Sequence, residues 1–207
     1  MGADVRVSFG LHPWWVAAAS DDELEAGLDA LEGGIEAADA LGELGLDKHQ
    51  RRNQQPGSWD RQLSALRAQL ALVDRTPRPL VLHVVRAHDE VIAELERHAP
   101  FPRGGIVHAF TGTVHDARRY VALGLHLSLG GALAAKPEKA AGLAQIPVDR
   151  IVLETDSPDQ APRSWAVQHN EPAFLPRIAQ ALAPIWRISA TELLDQAHIS
   201  METLFSS

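Results

Sequence analysis

The chain has 207 residues, a formal net charge of −8 and no cysteine. That length suits one large α/β domain over residues 1–207 better than two small ones. The missing thiols exclude disulfides, thiolate metal sites and a cysteine nucleophile, so any metal must use His, Asp and Glu. The acidic balance argues against a broad basic surface that binds nucleic acid by counterion release. No stretch approaches the roughly 20 apolar residues of a membrane span, so no membrane partner is expected. The chain lacks a basic segment followed by an apolar one at its start, which makes the cytoplasm the expected compartment.

In chain order, residues 5–9 begin as a strand that ends in a turn at His12-Pro13. Ser20 and Glu23 form a capping box, and behind it Leu24, Leu28, Leu31 and Ile35 share one helical face. Residues 40–47 read as a short strand with Glu43 inside it, closed by polar residues and Pro56-Gly57. Residues 59–74 read as a helix with Leu63, Leu66, Leu70 and Val73 facing inward. A strand over 79–85 carries His83 and is followed by a helix with Val91, Ile92 and Leu95. The strand over 105–110 carries His108 and leads to a helix over 115–123. A strand over 125–130 and a helix from about Pro137 come next.

Ile151, Val152 and Leu153 form an apolar run with no alternation, as a doubly buried strand does. It runs into Glu154, Thr155 and Asp156, and Pro158 ends it. A long loop over 158–172 precedes helices over 174–183 and 189–197, the second opened by a capping box at Ser189 and Glu192. Six strand–helix units in succession imply a parallel sheet with helical crossovers. They suit either an open doubly wound sheet or most of an eight-fold barrel. No glycine-rich dinucleotide fingerprint favours the open sheet, and Gly130-Gly131 is only a weak signal.

Four strands carry an ionisable residue near their C-terminal ends: Glu43, His83, His108 and Asp156. In parallel α/β folds that is where catalytic and metal-binding groups collect. Two acids and two imidazoles without thiolate suit Zn²⁺, Mn²⁺ or a similar divalent ion. A water activated there attacks an ester or phosphodiester. Lys48, His49, Arg51 and Arg52 follow the Glu43 strand and either hold a phosphate or form a solvated loop. Trp14 and Trp15 either stack on a base or pack under a loop.

Gly10-Leu11-His12-Pro13, Gly42-Glu43-Leu44-Gly45-Leu46-Asp47, Leu82-His83 with Arg86-Ala87, His108 to Gly112 and Glu154 to Pro158 resemble, in order, the motifs of TatD-family metal-dependent hydrolases. Asn170-Glu171-Pro172 and Leu204-Phe205 resemble that family's C-terminal landmarks. The resemblance implies a TIM-like (β/α) barrel of the amidohydrolase-like type and a deoxyribonuclease activity on DNA or a small phosphoester. It assigns Glu43 as a carboxylate bridging two metals, and His83 and His108 as ligands of the second. Asp156 becomes a ligand of the first and the acceptor of the attacking water's proton, so Glu43 and Asp156 are the catalytic pair.

His12 corresponds to a histidine beside the pocket, or is a turn residue that orders the loop through Pro13. Arg86, Arg51 and Arg52 are the remaining candidates for substrate binding. Val85 stands where the family commonly has Arg, and Ser200 where it often has Asn. The family's opening His-x-His strand has no counterpart, so about six of eight strands are expected, with about fifty residues missing by the usual size of such a barrel. One well-bound divalent ion (Zn, Mg or Mn) is therefore expected instead of the family's two. A start assigned too late or a decayed fragment is the favoured explanation, and closure of the open strand edges by oligomerising is the third. The competing readings are a related amidohydrolase-type enzyme on a small molecule and an inactive remnant.

Overall fold

The computed structural model describes residues 5–49, 55–161, 165 and 169–206. Its six strands follow one another in chain order in a single sheet. They are β1 (Ser8–Phe9), β2 (Ala40–Asp47), β3 (Leu80–Val85), β4 (Gly105–His108), β5 (Leu125–Leu129) and β6 (Ile151–Leu153). The chain divides into two compact units, Met1–Ile106 and Val107–Ser207. No helix among the described residues is long and apolar enough to cross a membrane.

In the first unit β1, β2 and β3 pair in parallel, with Gly45 opposite His83 and Asp47 opposite Val85. Every residue of β2 except Glu43 is buried, which makes it the central strand of this unit. Gly45 has φ +149°, and a Cβ there would meet the His83 carbonyl oxygen at 1.9 Å. A Cβ on Gly10 would likewise lie 2.7 Å from the Gly42 carbonyl carbon. These contacts let the His12 turn and the His83 strand close on the Glu43 strand.

Helix α3 (Ser58–Arg75) packs on β2 through Ala65, Leu66, Leu70 and Val73. Its buried amides have a second task. Gln62 accepts from the Asp47 N–H at 2.8 Å and donates to the Asp47 carbonyl at 3.3 Å. Gln69, two turns on along the same face, clamps Leu11 through bonds of 2.7 and 3.3 Å. One helix thus holds the backbone at the end of β2 and beside His12. Glu94 on α4 (His88–His98) ties that helix to α3 through a two-pronged bond from Arg67 at 2.8 and 3.0 Å.

In the second unit β5 pairs in parallel with β6, Leu127 opposite Ile151. Helix α5 (Val114–Ala122) opens on a Thr113–Asp116 capping box, and α8 (Ala190–Phe205) on the Ser189–Glu192 box. Helices α7 (Leu175–Leu182) and α8 pack together and against β6. Ser200 is buried and donates to the Asp149 carbonyl at 3.0 Å, which anchors α8 just before β6.

Several elements differ from their sequence expectation. The turn at His12-Pro13 opens a short helix, α1 (Pro13–Ala18), because Pro suits the first helical position and His12 supplies the cap. β1 starts only at Ser8 because the Asp39 carboxylate, at 2.9 Å, takes the Val7 N–H that a ladder would use. The helix expected from Pro137 is a 3-10 segment, Pro137–Gln145, preceded by the single turn α6 (Gly131–Ala134). Gly142 weakens that helix and Pro147 stops it. The last helix runs to Phe205, well past Ala197.

Gly45→Ala tests the close approach of β2 and β3. The 1.9 Å contact is with backbone, so no rotamer relieves it. A loss of more than about 3 kcal/mol is expected in denaturant unfolding; a wild-type midpoint would show that the strands do not approach this closely.

Candidate metal centre

β2 and β3 deliver Glu43 and His83, and the cap of α1 delivers His12. Three atoms converge: His12 Nε2, His83 Nδ1 and Glu43 Oε2. The two nitrogens are 3.2 Å apart, and each is 3.4 Å from the carboxylate oxygen. Tetrahedral donors at the Zn–N and Zn–O distance of about 2.0–2.1 Å lie about 3.3–3.4 Å from one another. The triangle therefore has the size of one face of a four-coordinate site.

The tautomers refine that fit. Asp47 lies under His83 and accepts its Nε2–H at 3.3 Å. The same carboxylate accepts from Trp14 Nε1–H, and from the His49 N–H at 2.6 Å. Burial disfavours its charge, but these donors outweigh burial and hold the carboxyl at about 2. Burial also disfavours a charged His83, yet its pKa is raised because Asp47 and Glu43 flank the ring. With the proton on Nε2, neutral His83 turns the Nδ1 lone pair toward Glu43. A histidine whose second nitrogen is held by a carboxylate is the usual arrangement of a metal-bound imidazole. Glu43 and His83 fit a divalent cation on this ground.

The second unit builds a similar pair. His108 Nδ1 donates to Glu154 Oε2 at 2.9 Å, and Ser128 Oγ donates to the same oxygen. Gly130 makes room for Glu154, since a Cβ there would lie 3.2 Å from its Oε1. With its proton on Nδ1, His108 turns Nε2 toward Asp156 Oδ1, 3.4 Å away. A lone pair facing a carboxylate needs a proton or a cation between them, so this pair also fits a cation. Asp156 has φ +58°, and its other oxygen accepts from Gln160. Asn170 is buried and donates to the carbonyls of Thr155 and Asp159, which pins the loop on both sides of Asp156.

Glu43, His83, His108 and Asp156 thus each lie beside a partner suited to metal binding, and His12 lies beside Glu43. Arg86 is exposed between β3 and α4, with φ +55°. Arg51 and Arg52 lie outside the described residues. Lys48 pairs with Glu90 and sits 5.2 Å over the Trp59 ring. Trp14 packs edge-on against His12, with centroids 4.9 Å apart. The side chains that sequence reasoning passed over are Asp47, Ser128 and Glu154. Period-2 spacing was the available signal: Asp47 is four residues from Glu43, and Glu154 two from Asp156.

A parallel α/β sheet whose strand ends carry imidazoles backed by carboxylates fits a metal-dependent hydrolase. Comparison with known proteins agrees. The family model described as "TatD related DNase" matches residues 1–206. An uncharacterized metal-dependent hydrolase of Escherichia coli K12, YjjV, is 34% identical over 203 residues, covering 96% of this chain and 76% of that protein. A 3'-5' ssDNA/RNA exonuclease TatD of Rahnella is 37% identical over 185 residues, covering 86% of this chain and 68% of the exonuclease. The crystal structure of YjjV, a TatD homologue, superposes with a TM-score of 0.81 over 96% of this chain and 75% of its own. The chain belongs to the TatD-related DNase family, and its fold class is the α/β, TIM-barrel-like class of its TatD homologues.

The Asp47 carboxyl titrates at about 2, below its ordinary 3.8. A lowered carboxyl stabilises the fold above the ordinary value, and the contribution disappears as pH falls toward the lowered one. In the metal-free chain Asp47→Asn should lose about 2 kcal/mol at neutral pH. The gap from wild type should close between about pH 4 and about pH 2 in denaturant titrations. A gap independent of pH would mean that the carboxylate is not held as described.

Proposed function

We propose that this chain is a divalent-metal-dependent phosphodiesterase acting on DNA, with one catalytic domain over residues 1–207 and the cytoplasm as its compartment. The observation that carries the reading is the repeated pairing of a carboxylate with an imidazole whose second nitrogen faces another carboxylate. Asp47 sets His83 in the first unit, and Glu154 sets His108 in the second. The 3'-5' ssDNA/RNA exonuclease activity named for the Rahnella relative supports a nucleic-acid substrate.

In this reading Glu43 Oε2 and His83 Nδ1 would hold the one well-bound cation, and His108 Nε2 with Asp156 Oδ1 offer a second pair of donors. A bound divalent cation polarises a phosphoryl oxygen and lowers the pKa of water. Asp156 takes the proton of the attacking water. Asp47 and Glu154 keep the two imidazoles in the donor tautomer throughout. Arg86 is the described side chain proposed to meet a substrate phosphate.

Isothermal titration of the 207-residue chain with Mn²⁺ or Zn²⁺ should show one high-affinity ion, abolished by Glu43→Gln or His83→Ala. Two comparable high-affinity sites would overturn the assignment. With metal present, cleavage of end-labelled single-stranded DNA should fall about 100-fold or more in Asp156→Asn and in His108→Ala. Unchanged cleavage in both variants would place the chemistry elsewhere.

A further inference from the structure

The cap of α1 dictates what His12 can do. The Trp14 backbone N–H donates to His12 Nδ1 at 3.1 Å. A backbone amide only donates, so Nδ1 must carry a lone pair, and the ring proton of neutral His12 resides on Nε2. Nε2 is the atom that faces Glu43 and His83. In the structure it donates to His83 Nδ1, whose own proton is on Nε2 because Asp47 holds it there. A directed chain results: Trp14 N–H to His12, His12 Nε2–H to His83, and His83 Nε2–H to Asp47. Coordination through His12 Nε2 would move its proton to Nδ1 and break the cap.

The three converging atoms are therefore alike in spacing and unlike in character: Glu43 and His83 present lone pairs, and His12 presents an N–H. Once a cation takes the His83 lone pair, that N–H faces Glu43 Oε2, 3.4 Å away, and whatever other oxygens share the site. His12 and Glu43 are about one-third exposed, and a groove of about 580 Å³ lined by both residues opens onto them. An anionic group can reach both.

We propose that His12 is a fixed hydrogen-bond donor to a phosphoryl oxygen of the substrate and not a ligand of the metal. This rests on the phosphodiesterase reading for the identity of the substrate. The tautomer itself rests on the cap alone. Ring packing supports it: His12 meets His83 edge to face, with centroids 4.5 Å apart, and Trp14 at 4.9 Å. Those neighbours oppose the ring flip that would exchange Nδ1 for a carbon.

Two measurements on the Zn²⁺-loaded chain test the proposal without using DNA. In long-range ¹H–¹⁵N correlation spectra, His12 should show a protonated Nε2 and an unprotonated Nδ1 after loading. A metal-bound Nε2 signal overturns the proposal. The second measurement is calorimetric binding of inorganic phosphate to wild type and to His12→Asn. Asn still offers an oxygen to cap Trp14 but has no N–H at the far edge of the ring.

His12→Asn should weaken phosphate about tenfold while changing Zn²⁺ affinity less than about threefold, below the cost of losing even an outer partner. Phosphate affinity equal to wild type, no phosphate binding by wild type, or a tenfold or greater loss of Zn²⁺ overturns it. If both measurements come out as expected and DNA is not cleaved, the nuclease reading fails and the donor role stands.

Discussion

The Asp47 carboxylate is the group on which the first unit's site depends. Three N–H groups enter it: His83 Nε2, Trp14 Nε1 and the His49 amide. A buried carboxylate with one donor would be expensive to ionise, whereas with three it is ionised through the whole ordinary pH range. Its charge then selects the His83 tautomer and thereby aims a lone pair at Glu43. The backbone of the same residue is held by Gln62 from α3. Side chain and main chain of Asp47 are fixed by different elements, so the imidazole above it has little freedom to rotate or slip.

The second unit reaches the same end with other parts. Glu154 lies just beyond β6 instead of at a strand's last position, and Ser128 from β5 fixes the oxygen that His108 donates to. Asp156 is turned toward His108 by a left-handed backbone that an Asp tolerates better than most residues. Asn170 bonds the carbonyls on either side of that turn. In both units a carboxylate behind an imidazole makes it a better donor, the general role of outer partners at metal sites.

Much of the fold was legible in the chain. The capping boxes at Ser20 and Ser189 open helices where expected, and each of the six strands lies where an apolar run was read. These signals are local: a cap and a hydrophobic period need only neighbouring residues. Misreadings occurred where a distant or competing group intervened. The Asp39 carboxylate shortens β1 by taking an amide 32 residues away. Gly142 and Pro147 turn an expected helix into a 3-10 segment. Gln62 and Gln69 give no sign in the sequence that they clamp backbone, because a polar residue on an amphipathic helix ordinarily marks its solvent face.

For the candidate site, the sequence alone determined the chemistry on offer: carboxylates and imidazoles at the ends of buried strands, with no thiol anywhere in the chain. It also placed Glu43, His83, His108 and Asp156, since strand position follows from apolar patterning. Only the tertiary structure decided which nitrogen of each ring carries the proton. His83 is set by a carboxylate 36 residues away and His108 by one 46 residues away, while His12 is set by the helix it caps. A histidine is donor or acceptor according to what binds its other nitrogen. That partner is brought close by the folded backbone, so the role of each imidazole is a property of the fold and not of the motif that contains it.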